Sequence, residues 1–213
     1  MYTLFGYWRS SASYRLRIAL NLKGLSYSQQ AVHLVRDGGE QYQASFRARN
    51  PHALVPVLQA DDQNLTQSLA ILEFLEEQHP TPPLLPNAAF DRAWARAVAQ
   101  TLACEIHPLN NLRVLKYLVT EMGASEETKL GWYRHWVEQG LAVVESHLAG
   151  LPGDFSLGER PGYLEACLVP QVYNARRFQC ELSQCPSVVA LDGRCNELDA
   201  FREAAPERQP DAE

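Results

Sequence analysis

The fold is decided near the start of the chain, where residues 2–24 have the sequence YTLFGYWRSSASYRLRIALNLKG. Residues 2–7 are short and rich in aromatic side chains, which predicts a β-strand. Small hydroxyl-bearing residues follow at positions 10–13, and they are typical of a loop that caps a helix. The apolar side chains then recur at helical spacing until Lys23 and Gly24 supply a stop signal. This stretch therefore predicts a strand, a capped helix and a turn.

The elements that follow complete a small sheet. In chain order the sequence predicts a strand over residues 26–34, a short helix over 41–48, a strand beginning at Val57, a hairpin turn over 61–64 and a helix over 67–78. The order of strand, helix, strand, hairpin and helix is typical of a mixed sheet covered by helices. We therefore expect an α/β domain at the start of the chain.

A proline-rich segment separates this domain from the rest of the chain. Residues 79–86, HPTPPLLP, hold four of the thirteen prolines, a density that neither a helix nor a central strand tolerates. Everything after it has helical periodicity. The expected helices cover residues 90–118, 126–148, 163–178 and 187–204. The tail over 206–211 is expected to be extended and to lie on the surface. We predict an α/β domain over residues 1–80 and an all-helical domain over 87–213.

The composition argues against several classes of protein. With a formal net charge of −6, the chain has no electrostatic reason to bind nucleic acid or an anionic membrane, so a small anionic substrate would need local arginines. No run of about 18 apolar residues suggests a membrane span, and the N-terminal residues do not resemble a secretory signal. The five cysteines are odd in number and include no Cys-x-x-Cys pair. This pattern argues against a disulfide framework or a zinc site and favours the reducing cytoplasm.

The first chemically suggestive cluster lies where the predicted strand turns into the predicted helix, at residues 8–15, WRSSASYR. The free N–H groups of the first helical turn form the positive end of the helix dipole, so a thiolate held there would be stabilised. A serine hydroxyl would add a hydrogen bond to the charged sulfur and would lower the thiol pKa. Taken alone, the same residues are more simply explained as a helix cap with spare serines.

Two shorter motifs allow a functional and a structural interpretation. A cis peptide at Val55-Pro56 would turn the backbone of Val55 outward, where its N–H and C=O could pair with a bound peptide, whereas a trans bond is the commoner state. Gln67 and Ser68 open the helix after the hairpin, and such a helix N-terminus either binds a carboxylate or is simply capped. Each signal is weak alone, but their order within one small α/β unit is specific.

With these motifs in this order, the chain resembles the zeta class of glutathione transferases. The resemblance covers the whole chain and includes IHPLNNLRVL at residues 106–115, LVPQVYNARRF at 168–178 and RQPD at 208–211. It implies a thioredoxin-like α/β N-terminal domain and an all-α helical C-terminal domain, which together form the glutathione transferase fold. It also implies glutathione as the cofactor, no metal, and a homodimer in the cytoplasm.

The resemblance gives individual residues expected roles. Ser10 matches the hydroxyl that supports the glutathione thiolate, and it is expected to be catalytic together with Arg9 and Ser11. Gln67 and Ser68 match the residues that bind the γ-glutamyl group. The full set of expected glutathione contacts is Ser10, Ser11, Ala12, Ser13, Arg15, Gln41, Val55, Pro56, Gln67, Ser68, His107 and Asn111.

Three arginines, Arg9, Arg113 and Arg177, match positions that bind substrate carboxylates. Arginine suits a dianionic substrate because its planar fork binds a carboxylate through two hydrogen bonds. Arg9 lies beside Ser10 in the sequence, so it must lie near the thiolate. The other two fall on separate predicted helices of the second domain, where they could frame a cleft between the domains. The alternative for each is an ordinary surface charge.

Two positions depart from the pattern of the class. Ala12 stands where many members carry a cysteine; because the attacking sulfur belongs to glutathione, we expect catalysis to survive and the sensitivity to thiol-directed inactivation to change. Gly162 and Glu165 stand where many members have Thr and Asp, so the hydroxyl half of a capping box is missing. Glycine is a tolerable N-cap, and we expect only a small loss of stability.

The implied activity is glutathione-dependent isomerisation of a maleyl keto acid, namely maleylacetoacetate to fumarylacetoacetate in tyrosine and phenylalanine breakdown. Addition of a thiolate makes the cis double bond single, and rotation followed by expulsion of the thiolate gives the trans isomer. Two alternatives stay open. One is isomerisation of maleylpyruvate in aromatic acid degradation, which differs only in the substrate tail. The other is general glutathione transfer, against which an arginine-lined pocket counts because it favours a dicarboxylate over an apolar electrophile.

Overall fold

Four short strands form one mixed sheet in the computed structural model, which describes residues 1–213. The strands are β1 (Tyr2–Gly6), β2 (Tyr27–Ala31), β3 (Val57–Ala60) and β4 (Gln63–Thr66). They lie in the order β2-β1-β3-β4, with β2 parallel to β1 and the other neighbours antiparallel. In this register Leu4 lies opposite Leu58, and both are buried at the centre of the sheet. The predicted α/β sheet is confirmed.

Helices connect these strands and cover the sheet. They are α1 (Ser11–Leu22), α2 (Ala44–Arg47) and α3 (Ser68–Gln78), together with 3-10 helices at Arg36–Gly38 and Glu40–Tyr42. The second strand is shorter than the predicted 26–34. Its backbone turns away because the side chain of His33 accepts hydrogen bonds from the N–H groups of Val35 and Arg36 through Nδ1 (3.3 and 2.7 Å).

The second half of the chain is helical throughout. In chain order it contains α4 (Ala89–Gln100), a π-helix (Thr101–Ile106), a 3-10 helix (His107–Asn110), α5 (Leu112–Thr120), α6 (Glu126–Leu148), α7 (Tyr163–Arg177), α8 (Pro186–Asn196), α9 (Asp199–Arg202) and a 3-10 helix (Pro206–Arg208). The predicted all-helical character is therefore confirmed. None of these helices combines the length and apolar character that crossing a bilayer requires.

Two predicted helices prove to be interrupted. The helix predicted over 90–118 changes to π and 3-10 geometry around Pro108, which has no backbone N–H to donate. Asn111 then caps a new helix, since its Oδ1 accepts a hydrogen bond from the N–H of Arg113 at 3.1 Å. The helix predicted over 187–204 is likewise split, into α8 and α9.

The chain divides into two compact units. The first unit contains Met1–Leu85 and Asn196–Glu213, and the second contains Pro86–Cys195. The expected domains were 1–80 and 87–213. Residues Asn196–Glu213 instead group with the sheet of the first unit. Burial explains this: Phe201 on α9 is fully buried, and the side-chain amide of Asn21 on α1 donates to Ala200 O at 2.9 Å.

Each unit has its own apolar core. In the first unit, α1 packs against α3, and Leu16 and Leu20 of α1 and Leu72 of α3 are all fully buried. In the second unit, α6 crosses the π-helix so closely that a Cβ on Gly140 would lie 2.2 Å from Ile106 Cγ1. A glycine is therefore required at that crossing, where it permits close approach of the segment that leads into His107.

The start of α7 shows how the unusual cap works. The carboxylate of Glu165 is buried and accepts hydrogen bonds from the N–H groups of Gly162 and Ser156, both at 2.8 Å. Two backbone donors are thus satisfied by one side chain, although the hydroxyl half of the capping box is missing as the sequence indicated.

Candidate active site

Ser10 stands at the junction between β1 and α1, as predicted. It is the N-cap of α1: its Oγ accepts a hydrogen bond from the N–H of Ser13 at 3.3 Å, and its own N–H donates to Tyr7 O at 3.0 Å. Its side chain is only half-buried. Accepting this bond uses only a lone pair of the oxygen, so the hydroxyl hydrogen can still donate to an anion at the helix N-terminus.

The first turn of α1 is tightly packed behind Ser10. Ser11, Ala12 and Ser13 are all buried. The hydroxyl of Ser13 faces the backbone of the preceding strand, and a Cβ on Gly6 would lie only 2.9 Å from Ser13 Oγ. Ser13 therefore packs against the backbone of Gly6 and Tyr7 on the buried side of the loop.

Gln67 and Ser68 form the N-terminus of α3. Gln67 has φ +66°, a left-handed conformation that costs a non-glycine residue free energy and is concentrated at functional sites. Ser68 Oγ accepts a hydrogen bond of 2.5 Å from Nη1 of Arg15, which is 3% exposed. The Nε of Arg15 is buried and has no hydrogen-bond partner in the protein. A helix N-terminus with a buried guanidinium behind it is suited to bind a carboxylate.

Val55 and Pro56 lie immediately before β3 and are joined by a cis peptide bond. Val55 is half-buried, whereas Pro56 is buried. Neither the N–H nor the C=O of Val55 pairs with another backbone group. Both groups are therefore available to pair with an extended peptide in the manner of an added strand.

Gln41 lies on the short 3-10 helix that follows Gly39. Its side chain is buried; Nε2 donates to Leu34 O at 3.2 Å, and Oε1 is buried without a partner in the protein. A buried amide oxygen that lacks a donor costs free energy, and a bound ligand with an N–H group would supply that donor.

The 206–213 segment reaches the same loops. Asp211 Oδ2 accepts a hydrogen bond from the N–H of Trp8 at 3.0 Å, and Glu213 lies against Arg36 and His33, with Oε1 at 2.6 and 3.2 Å from their nitrogens. These hydrogen bonds hold the pKa of Glu213 below its usual value, with the bond to His33 contributing most. The sequence predicted an extended surface tail here. No local pattern could reveal these contacts, because 203 positions separate Trp8 from Asp211.

The expected substrate arginines occupy three different environments. Arg9 is half-buried and its Cζ lies 4.6 Å from the centre of the Trp8 ring. Arg113 is exposed in the first turn of α5, where a positive charge is unfavourable unless an anion binds beside it. Arg177 ends α7, and its Cζ lies 4.8 Å from the centre of the Phe178 ring.

Other residues of the second unit are engaged structurally. Arg176, expected to be an ordinary neighbour of Arg177, forms an ion pair of 2.5 Å with the buried Asp192. Asn111, an expected glutathione contact, serves as the cap of α5. His107 opens the 3-10 helix and is half-buried.

Three buried cysteines of the chain, Cys180, Cys185 and Cys195, are unsuited to act as nucleophiles. All five cysteines are free thiols. Burial raises the pKa of Cys180 to about 11, and burial also raises the pKa values of Cys185 and Cys195. A thiol with a raised pKa remains protonated at neutral pH and reacts slowly. Nor do three or more His, Cys, Asp or Glu side chains cluster in a way that could hold a metal ion.

Comparison with known proteins places this geometry in a family. Residues 4–83 match the family described as glutathione S-transferase, N-terminal domain. The chain is 48% identical over 209 residues to a probable maleylacetoacetate isomerase of Vibrio cholerae, with 98% of this chain and 97% of that protein covered.

Solved structures of related proteins have closely similar folds. One is the holo structure of a maleylpyruvate isomerase, described as a bacterial glutathione S-transferase of the zeta class. It has a TM-score of 0.96 and 48% identity, and the match covers 99% of this chain and 100% of that chain. A maleylacetoacetate isomerase from Methylobacterium extorquens AM1, crystallised with malonate and glutathione bound, has a TM-score of 0.94 and 38% identity over 99% of both chains.

Proposed function

The chain belongs to the zeta class of glutathione transferases, and from that premise we propose that it converts maleylacetoacetate to fumarylacetoacetate with glutathione as the cofactor. The observation that carries the proposal is the cap of α1, where the half-buried hydroxyl of Ser10 can donate a hydrogen bond at a helix N-terminus. The activity is that of a cis–trans isomerase. Its relatives of both names support this chemistry.

The residues of the first unit fit glutathione. When bound, glutathione supplies a thiolate that adds to the cis double bond, permits rotation about the resulting single bond and is expelled again unchanged. The unpartnered polar atoms of Arg15 and Gln41 fit a ligand that carries both carboxylates and amide groups. The unpaired backbone groups of Val55 fit its peptide bonds. Arg15, Gln41 and Val55 all belong to the first unit, which supports the assignment.

Each residue near α1 has a proposed task. Ser10 donates its hydroxyl hydrogen to the sulfur and lowers the thiol pKa, because a hydrogen bond to the charged form favours that form. Ser11 and the first turn of α1 contribute the dipole, and Ala12 and Ser13 shape the turn. Arg9 is placed next in sequence to Ser10 and is proposed to attract a substrate carboxylate.

The remaining glutathione contacts bind the rest of the tripeptide. We assign the γ-glutamyl carboxylate to Gln67 and Ser68 at the N-terminus of α3, with Arg15 behind them. The cysteinyl unit pairs with the backbone of Val55 beside Pro56. In the same proposal Gln41, His107 and Asn111 make further contacts with glutathione.

A direct assay tests the proposed function. Purified protein is mixed with maleylacetoacetate with and without glutathione, and the appearance of fumarylacetoacetate is followed. We expect conversion only with glutathione, with no net consumption of its thiol. S-methylglutathione, which has no thiol, serves as the control and should not support conversion. Conversion at the same rate without glutathione, or none with it, would contradict the proposal.

Maleylpyruvate is the second candidate substrate, and a specific observation favours keeping it. The chain is 48% identical both to a probable maleylacetoacetate isomerase and to a maleylpyruvate isomerase, so overall similarity does not separate them. The two substrates share the reacting double bond and differ in the tail. Parallel measurements of kcat/KM for both substrates decide between tyrosine breakdown and aromatic acid degradation. Much faster conjugation of a neutral aryl halide would instead favour a general glutathione transferase.

We also propose that Arg113 and Arg177 bind substrate carboxylates, with Arg177 the stronger contributor. The ring of Phe178 beneath its guanidinium favours a fixed orientation of the fork. The relative crystallised with malonate shows that a protein of this class can hold a dicarboxylate together with glutathione. Arg113 at the first turn of α5 adds a positive charge where a helix N-terminus already attracts anions.

Removal of the Arg177 guanidinium should weaken substrate binding. For Arg177→Ala we expect KM for the keto acid to rise about tenfold or more with a smaller change in kcat, because a hydrogen bond to a charged group contributes about 1.5–3 kcal/mol. The KM of Arg177→Lys should fall between those of the wild type and Arg177→Ala, since lysine keeps the charge but not the planar fork of the guanidinium. Arg160→Ala, at an exposed loop position of the same unit, is the matched control. Steady-state kinetics with an unchanged KM in Arg177→Ala would contradict this role.

The state and location of the protein in the cell are part of the same proposal. We propose a homodimer, as the resemblance to the zeta class implies, and sedimentation or size-exclusion measurements check it. We propose the cytoplasm because all five cysteines are free thiols, a state that a reducing compartment maintains.

A further inference from the structure

Both backbone groups of Trp8 are held by side chains from elsewhere in the first unit. Its N–H donates to Asp211 Oδ2 at 3.0 Å, and its C=O accepts from Arg17 Nη2 at 2.8 Å. Trp8 itself is 6% exposed. It immediately precedes Arg9 and Ser10, the residues proposed to act on the substrate and on the sulfur. The position of the loop is thus set by two side chains that do not belong to it.

Arg17 is a buried cation with a defined set of partners. It is 1% exposed, and besides Trp8 it binds Ala204 O through Nε at 2.9 Å. Burial lowers its pKa to about 10, and the charge of Asp211 is among the influences that oppose this decrease. The guanidinium therefore stays charged at neutral pH, and Asp211 provides the negative charge close to it. The bond to Trp8 is consequently a charge-assisted one.

The segment that carries Asp211 is itself anchored. Gln209 is buried and donates through Nε2 to Glu203 O and Ala205 O at 2.9 and 2.7 Å, while its Oε1 accepts from Gln29 at 2.8 Å. This anchoring fixes the place of Asp211, two positions further along. Because its segment is anchored independently of Trp8, the Asp211 carboxylate can fix the position of the Trp8 peptide.

We propose that Asp211 is a positioning residue of the active site, which together with Arg17 fixes the Trp8 peptide so that the Ser10 hydroxyl is aimed at the glutathione sulfur. The inference rests on the proposed function, because it concerns the same thiolate. A displacement of about 1 Å in a catalytic group can lower a rate about a hundredfold. A small shift of this loop on loss of Asp211, 203 positions away from Trp8, would therefore lower the rate of catalysis.

The test compares three substitutions of Asp211. Asp211→Ala removes the acceptor and should lower kcat about tenfold to a hundredfold, with KM for the keto acid changed less than about twofold. It should also move the rising limb of kcat to higher pH, because a misaligned donor lowers the thiol pKa less. Asp211→Asn retains an acceptor oxygen of the same length, so we expect kcat and the pH limb to return to within about threefold of wild type.

Two further measurements separate positioning from stability and from the proposed function. The pKa of the bound glutathione thiol, followed by the ultraviolet absorbance of the thiolate, should rise in Asp211→Ala, and this readout needs no isomerase activity. Asp199→Asn removes a similar charge from an exposed site on α9, where it pairs with Arg202, and should leave all three quantities unchanged. A purely structural role would lower the melting temperature of Asp211→Ala without moving the thiol pKa.

The outcomes are distinct. If folded Asp211→Ala retains the wild-type kcat, pH limb and thiol pKa, the positioning role is overturned while the proposed function stands. If the wild type itself shows no glutathione-dependent conversion, the proposed function fails before any variant is compared. If Asp211→Ala does not fold, Asp211→Glu carries the test, since it keeps the charge near Arg17 but is one methylene longer. It should lower kcat about threefold to tenfold and raise the thiol pKa; wild-type values would overturn the role.

Discussion

We expect the Ser10→Ala variant to turn over the keto acid about 100- to 1000-fold more slowly than the wild type, which is the usual effect of removing one aligned donor to a reacting anion. The Ser10 hydroxyl accepts from Ser13 N–H and is proposed to donate to the sulfur, so its loss should remove a hydrogen bond to the charged form and raise the thiol pKa. The rising limb of kcat should therefore move to higher pH. Steady-state kinetics over a range of pH values measure both effects.

Two companion variants separate the catalytic task of Ser10 from its structural one. As the N-cap of α1, Ser10 also stabilises the fold, and its replacement by alanine should cost about 1 kcal/mol, whereas glycine should cost only a few tenths. Ser10→Gly should thus be nearly as stable as the wild type but as slow as Ser10→Ala. Ser10→Thr keeps both the hydroxyl and the cap and should retain most of the turnover. If the alanine variant stays within about twofold of wild type, Ser10 has no catalytic role.

The sequence predicted best where local signals agree with one another. The helix over residues 126–148 has the predicted bounds because apolar periodicity coincides with a good cap, in which Ser125 Oγ accepts from Thr128 N–H. The helix over 90–118 was predicted wrongly because its periodicity continues through Pro108, whose effect on the backbone is stronger than the pattern. Periodicity indicates which face is buried, but it does not show where the hydrogen-bond ladder is interrupted.

The candidate site was predictable only in part, for a related reason. Ser10, Gln67 and Ser68 could be predicted as candidates because they lie at the starts of helices, and helix N-termini have recognisable local sequences. The link from Arg15 to Ser68 joins two such termini across 53 positions, and no local pattern indicates it. The same holds for Asp211: its motif could be recognised, but its contact with Trp8 depends on the packing of the whole first unit.

Lys23 and Glu76 form a second network of this kind, which ties the proline-rich segment to the first unit. Lys23 Nζ lies 2.7 Å from Glu76 Oε2 and also donates to His79 O and Pro82 O at 2.6 and 3.0 Å. The carboxylate in turn accepts from the N–H of Leu84 at 2.9 Å. Both charged side chains are almost completely buried, at 0% and 7% exposed. Removing either charge therefore leaves the other desolvated and unpaired.

We expect Lys23→Met to lower the free energy of unfolding by about 3–5 kcal/mol, the usual cost of breaking a buried ion pair. An isolated buried pair can often be replaced by two apolar residues without loss, but here the pair also satisfies backbone groups of the proline-rich segment. The double variant Lys23→Met with Glu76→Leu should therefore remain destabilised. Urea unfolding measures both, with Lys116→Met at an exposed position of α5 as a control expected to change stability by less than about 0.5 kcal/mol. A double variant as stable as the wild type would show that the backbone of this segment does not depend on the pair.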